Sequence, residues 1–140
     1  MKVRELMNSN VVSLRPEDTA AQAAVIFNRH GIGALPVCAA DGRLRGMVTD
    51  RDIVLRCVAC EGVPEETPLR EIMTRGVVCI SPEADVREAT QLMASEQVRR
   101  LPVVEEGRIV GMLALGDLAC SHAFDMEASK ALAEISEKKH

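Results

Sequence analysis

The 140-residue chain carries one passage twice, and its fold must place both copies equivalently. "RELM" at 4 to 7 returns as "REIM" at 70 to 73, "VVSLRPE" at 11 to 17 as "VVCISPE" at 77 to 83, and "LPV" at 35 to 37 as "LPV" at 101 to 103. The offset is 66, as Pro16 to Pro82 and Pro36 to Pro102 show. After a turn shortened by one residue it becomes 65, pairing Gly42, Gly46, Met47 and Asp52 with Gly107, Gly111, Met112 and Asp117. Two copies favour a closed pseudo-symmetric pair over an open solenoid.

Each copy reads as strand, helix, strand, strand, helix. "VVSL" and "VVCI" are short apolar runs followed by proline two residues later, which suits brief strands. Apolar residues at helical spacing follow in 18 to 31 and 83 to 97. Thr19 with Gln22, and Asp85 with Glu88, fit capping boxes at the helix starts, and Gly31 suits a left-handed stop. "ALPVCA" and "LRGMVT" flank the turn signal Asp41-Gly42 and predict a hairpin, with a helix from about Asp50 to Cys60. Pro36 and Pro102 belong on strand edges, where neighbouring carbonyls and amides stay free. The expected bounds are 1 to 62 for the first motif, 63 to 68 for a linker, 69 to 125 for the second motif, and 126 to 140 for a C-terminal helix. That last helix has an apolar face through Ala128, Ala131, Leu132 and Ile135, expected to dock on its own module or on a dimer.

Charge and composition exclude several functions. Seventeen basic against 21 acidic residues give a formal charge of -4, and only Phe27 and Phe124 are aromatic. Neither a phosphate-backbone interface nor a base-stacking platform follows from that, so nucleic acid is not an expected partner. No stretch resembles a signal peptide or approaches the roughly 20 apolar residues of a membrane span, so a cytoplasmic protein without membrane contact is expected. Cys38, Cys57, Cys60, Cys79 and Cys120 lie scattered among apolar residues, as small buried hydrophobes do in a reducing compartment. Cys57 and Cys60 form a C-x-x-C without a second pair or a nearby histidine, so no metal site is expected, although zinc or redox chemistry is a minor alternative. His30, His122 and His140 stand singly, and no nucleophile and base form a recognisable arrangement, so the chain does not read as an enzyme.

The order "RELM", "VVxxxPE", helix, "LPV", turn glycine, "GMVTxxDI", present twice, resembles a tandem pair of CBS domains, or Bateman module. The wording of "IGALPV", "GMVTDRDIV" and "QVRRLPV" is similar to small stand-alone bacterial CBS proteins of the hypoxic response type. The resemblance covers residues 3 to 60 and 69 to 120. It implies a mixed α/β (α+β) fold of two β-α-β-β-α motifs packed by their strands around a pseudo-two-fold axis. It also implies two clefts for adenosine compounds, a homodimer, and a downstream protein partner the sequence does not name.

Carried onto this chain, the resemblance implies one well-furnished cleft. Asp52 would accept from both ribose hydroxyls, while Thr49 and the amides opening its helix would face phosphate. Met47, Gly76, Val77 and Val78 would enclose adenine. Val98 would stand beside Arg99 and Arg100, whose forks suit phosphate oxygens. The second cleft would keep Asp117 and Met112, with Asn10, Val11 and Val12 walling the adenine. Ala114 replaces the threonine there, and Ile32, Gly33 and Ala34 stand where the first cleft has its arginines. Tighter binding at Asp52 is expected, with AMP, ADP or ATP ahead of NAD or S-adenosylmethionine, and no obligatory cofactor. Read from the residues alone, Thr49-x-x-Asp52 is also a capping box that needs no ligand, and Arg99 and Arg100 fit a solvated helix end. A ligand-independent dimeric scaffold is the alternative function.

Overall fold

In the computed structural model, which describes residues 1–119 and 134–135, each repeat builds one antiparallel hairpin and the helices around it. The elements are α1 (Val3–Leu6), α2 (Ala20–His30), β1 (Ala34–Cys38), β2 (Leu44–Thr49), α3 (Asp50–Ile53), α4 (Leu69–Ile72), α5 (Val86–Glu96), β3 (Arg100–Glu105), β4 (Arg108–Ala114) and α6 (Leu115–Ala119). The mixed helix and strand composition matches the expected fold class.

Local chemistry explains most boundaries. Thr19 and Gln22 close the reciprocal box that starts α2, and Gly31 ends it at φ 62°. At α5 the pattern differs from expectation, because Asp85 accepts from the Arg87 amide and Glu88 makes no return bond. That helix ends on Gln97, which takes the left-handed conformation at φ 57° where the first copy has Gly31. The β3–β4 turn is Glu106-Gly107, both at positive φ, which suits the twist of a tight hairpin.

The runs "VVSL" and "VVCI" do not form strands. Each contributes one parallel bridge, Leu14 to Val37 and Ile80 to Val103. The Leu14 amide donates to the Pro36 carbonyl at 3.0 Å, and the Cys38 amide to the Leu14 carbonyl at 2.7 Å. The next rung would need an amide hydrogen on Pro36, which proline lacks. Pro102 stops the Ile80 bridge in the same way, accepting from the Ile80 amide at 3.0 Å. Both proline carbonyls are thus occupied by these bridges. The helix expected over 50 to 60 is also interrupted, because after Ile53 the backbone widens into a π-helical turn at Val54–Val58.

Two compact units emerge, Val12–Val77 and Met1–Val11 with Val78–His140. Each takes its lead-in helix from the other repeat. In Val12–Val77, α4 is fastened by the Leu69 amide donating to the Asp18 carbonyl at 2.7 Å and the Arg70 amide to the Pro16 carbonyl at 3.0 Å. The other unit repeats this with α1, where the Val3 amide meets the Ala84 carbonyl at 2.8 Å and the Arg4 amide the Pro82 carbonyl at 3.0 Å. Leu69 and Ile72 pack with Leu14, Phe27, Val37 and Val48. Val3 packs with Met93, Leu101, Leu113 and Leu118. Exposed ion pairs such as Lys2 with Glu83 add little beside such burial. The expected C-terminal helix lies outside the described residues except for Glu134 and Ile135, which are helical, Ile135 being fully buried in the Val3 core.

Candidate functional site

At the end of β2 the chain turns from strand to helix, and Thr49 and Asp52 face each other across the junction. The Asp52 amide donates to Thr49 Oγ1 at 3.0 Å, and the Thr49 amide to Asp52 Oδ2 at 3.0 Å. Asp52 is only 7% exposed, an unusual setting for a carboxylate. Two residues outside the sequence-derived set complete its surroundings. Thr74 Oγ1 lies 3.5 Å from both carboxylate oxygens, and Arg56 Nε lies 3.8 Å from Oδ1. The Arg56 Nη1 also donates to the carbonyls of Ile72 at 3.2 Å and Met73 at 3.4 Å. Arg56 stands four residues after Asp52, the spacing of helical ion pairs, so it was findable from sequence. Thr74 was not, because only the docking of α4 brings it there.

Met47 is half-buried beside this cluster and exchanges both backbone hydrogen bonds with Thr74, at 3.0 and 2.8 Å. Gly76 follows at φ 65°, then half-buried Val77. The structure thus brings Met47, Thr49 and Asp52 together with the segment leading to Gly76 and Val77. Ile32, Gly33, Ala34 and Val12 also belong to this unit. A Cβ on Gly33 would come within 2.8 Å of Asp50 Oδ2, so a larger residue at the position answering Arg99 would have to displace that side chain.

The other unit holds the copy. Asn8 makes the contact that Thr74 makes in the first unit, its backbone pairing with Met112 in both directions, at 2.8 and 2.9 Å, just before Asn10 and Val11. Half of the second box survives the loss of its threonine, since the Ala114 amide still donates to Asp117 Oδ2 at 3.0 Å. Ala114→Thr is therefore expected to stabilise the chain by about 0.5 to 1 kcal/mol, read by urea unfolding, by restoring the missing half. Val78 and Val98 are half-buried, and Arg99 and Arg100 are exposed. The Arg99 carbonyl accepts from the Leu115 amide at 2.8 Å, as the Gly33 carbonyl does from Asp50 at 2.9 Å.

The model of the CBS domain matches residues 3–58 and 69–120. The chain belongs to the CBS-domain family. CBS domain-containing protein YhcV of Bacillus subtilis is 41% identical over 134 residues, covering 96% of this chain and 94% of that one. Hypoxic response protein 1 of Mycobacterium tuberculosis is 37% identical over 116 residues, covering 83% and 81%. The crystal structure of Hypoxic Response Protein I with two coordinated zinc ions superposes at TM-score 0.80 with 36% identity, over 86% of this chain and 98% of that one. The CBS domain protein PAE2072 of Pyrobaculum aerophilum, complexed with AMP, superposes at TM-score 0.79 with 26% identity, over 93% and 99%. The tandem CBS arrangement read from the repeat is thereby established.

Among the described residues of this CBS pair, Cys38, Cys57, Cys60 and Cys79 are free thiols. Burial pushes the Cys38 thiol up, against a hydrogen bond with Ser13 that lowers it. The Cys57 thiol faces Thr67 Oγ1 at 3.6 Å, and the Cys60 thiol faces the Leu55 carbonyl at 3.5 Å. Among the described residues no three His, Cys, Asp or Glu side chains group as metal ligands. No helix among them is long and apolar enough to cross a membrane.

Proposed function

We propose that this CBS pair is a non-enzymatic regulatory module that binds an adenosine-containing ligand, with AMP, ADP or ATP ahead of NAD or S-adenosylmethionine. The observation that carries this reading is the buried Asp52 carboxylate, held beside the Thr49 hydroxyl at a strand-to-helix junction. Asp52 takes the ribose hydroxyls. Thr49, whose oxygen accepts from the Asp52 amide, keeps its own O–H to donate to phosphate. Met47, Gly76 and Val77 of the same unit contact adenine. The AMP complex of PAE2072 supports the ligand class.

A weaker second site uses Asp117 and Met112 with Asn10 and Val11 of the same unit, and it lacks the hydroxyl, Ala114 standing in its place. The module acts as a homodimer in the cytoplasm and passes ligand occupancy to a protein partner. The energy for that response is the ligand's differential affinity for two states. The complete Thr49–Asp52 box, sufficient as a cap, favours a second reading, a ligand-independent dimeric scaffold.

Thermal unfolding against AMP, ADP, ATP, NAD and S-adenosylmethionine distinguishes these readings. A ligand at about ten times its Kd is expected to add about 1.4 kcal/mol, or roughly 5 °C for a chain of this size. The shift should vanish in Asp52→Ala. No shift with any of the five would leave the scaffold reading in its place.

A further inference from the structure

A carboxylate binds a vicinal diol well only if its two oxygens are held at a fixed angle with a lone pair free on each. At Asp52 the fixing is done by neighbours. The Thr49 amide takes one side of Oδ2, and the Arg56 guanidinium stands against Oδ1 while anchored to the Ile72 and Met73 carbonyls. Those two carbonyls close the last turn of α4. The Thr74 hydroxyl, 3.5 Å from both oxygens, faces the carboxylate edge. Each carboxylate oxygen has about two acceptor sites. The Thr49 amide takes one on Oδ2, and the single Thr74 proton takes one on Oδ1 when turned toward it. Arg56, at 3.8 Å from Oδ1, stands beyond hydrogen-bond distance, so one site on each oxygen is left for ligand hydroxyls.

From this we infer that Arg56 and Thr74 are positioning residues that orient Asp52 for the two ribose hydroxyls and tie its occupancy to α4. The inference rests on the ribose reading of Asp52. Arg56 reaches both Asp52 and α4 from within the π-helical turn at Val54–Val58, and widened turns of this kind recur at functional sites. The copies differ at both positions. Asn8 answers Thr74, with its side-chain oxygen accepting from the Asn10 amide at 3.0 Å. Ser121, outside the described residues, answers Arg56. The second carboxylate, Asp117, is thus without the arginine and threonine pair in sequence as well as without the Thr49 hydroxyl.

Calorimetric titration of AMP, 2′-deoxy-AMP and adenosine into the full chain tests this. Wild type should prefer AMP to 2′-deoxy-AMP. In Arg56→Ala and Thr74→Val that preference should shrink about fivefold, the ratio matching one partly exposed charged contact. The preference for AMP over adenosine, which reports phosphate contacts, should stay unchanged. Arg56→Lys, which keeps the charge but not the fork, should recover only part of the diol preference. A general structural defect would lower both preferences together, and that result would overturn the inference. It would also fall if Arg56→Ala and Thr74→Val kept the wild-type diol preference while Asp52→Ala lost it. If wild type bound none of the probes, or Asp52→Ala kept the diol preference, the ribose reading itself would fail and this inference with it.

Discussion

Leu69→Ala is expected to destabilise the chain by about 2 to 5 kcal/mol, the range for truncating a fully buried leucine. Leu69 has no exposed surface, although it opens a helix of only four residues. Its side chain packs with Leu14, Ala20, Phe27 and Val48, residues of the preceding repeat. Nothing within so short a helix offsets the cavity, because isolated helices of this length have almost no stability of their own. Urea unfolding should show a lower midpoint at unchanged slope. Leu69→Met, which conserves volume, should lose less than about 1.5 kcal/mol. A loss below about 1 kcal/mol in Leu69→Ala, against the usual range for a buried leucine, would mean that α4 is not seated in this core.

Gly46→Val is expected to cost about 3 kcal/mol, at the upper end for overpacking. A Cβ at Gly46 would lie 2.6 Å from the Thr74 carbonyl oxygen and 3.2 Å from Met73 Sδ. That oxygen cannot yield cheaply, since it accepts from the Met47 amide at 3.0 Å. The matching glycine in the other repeat gives an internal control. At Gly111 the nearest atom is Met7 Sδ at 2.6 Å, the flexible end of a thioether, with the Asn8 carbonyl oxygen farther off at 3.2 Å. Gly111→Val should therefore lose less stability. Equal losses in the two variants would show that Met7 resists displacement as strongly as backbone does.

What could be read from sequence was whatever depends on near neighbours. Thr19, Gln22 and Gly31 bound α2 because caps act over three or four residues, and the hairpins follow from turn glycines between apolar runs. The repeat placed Asp52 and Asp117 at equivalent junctions, where each accepts from the amide three residues earlier. Other features depend on distant contacts. "RELM" and "REIM" announce a buried helix but not which core receives it. Thr74 meets Asp52 across 22 residues, a contact that only the docking of α4 creates. The π-helical turn has no breaker to announce it, since Val54, Leu55 and Val58 fit an α-helical pattern equally well. Gln97 took the left-handed stop without glycine, so only its alignment with Gly31 marked it.

The traded lead-in helices bear on how such a chain arises. A polypeptide holding one repeat would make a helix that does not fill its own core and would leave that core open where α4 or α1 now sits. Two identical copies lending each other that helix would complete both cores. Duplication of the gene joins the lender to the borrower in one polypeptide and makes the loan permanent. Each copy is then free to diverge on its own, and the threonine at 49 facing an alanine at 114 records that freedom.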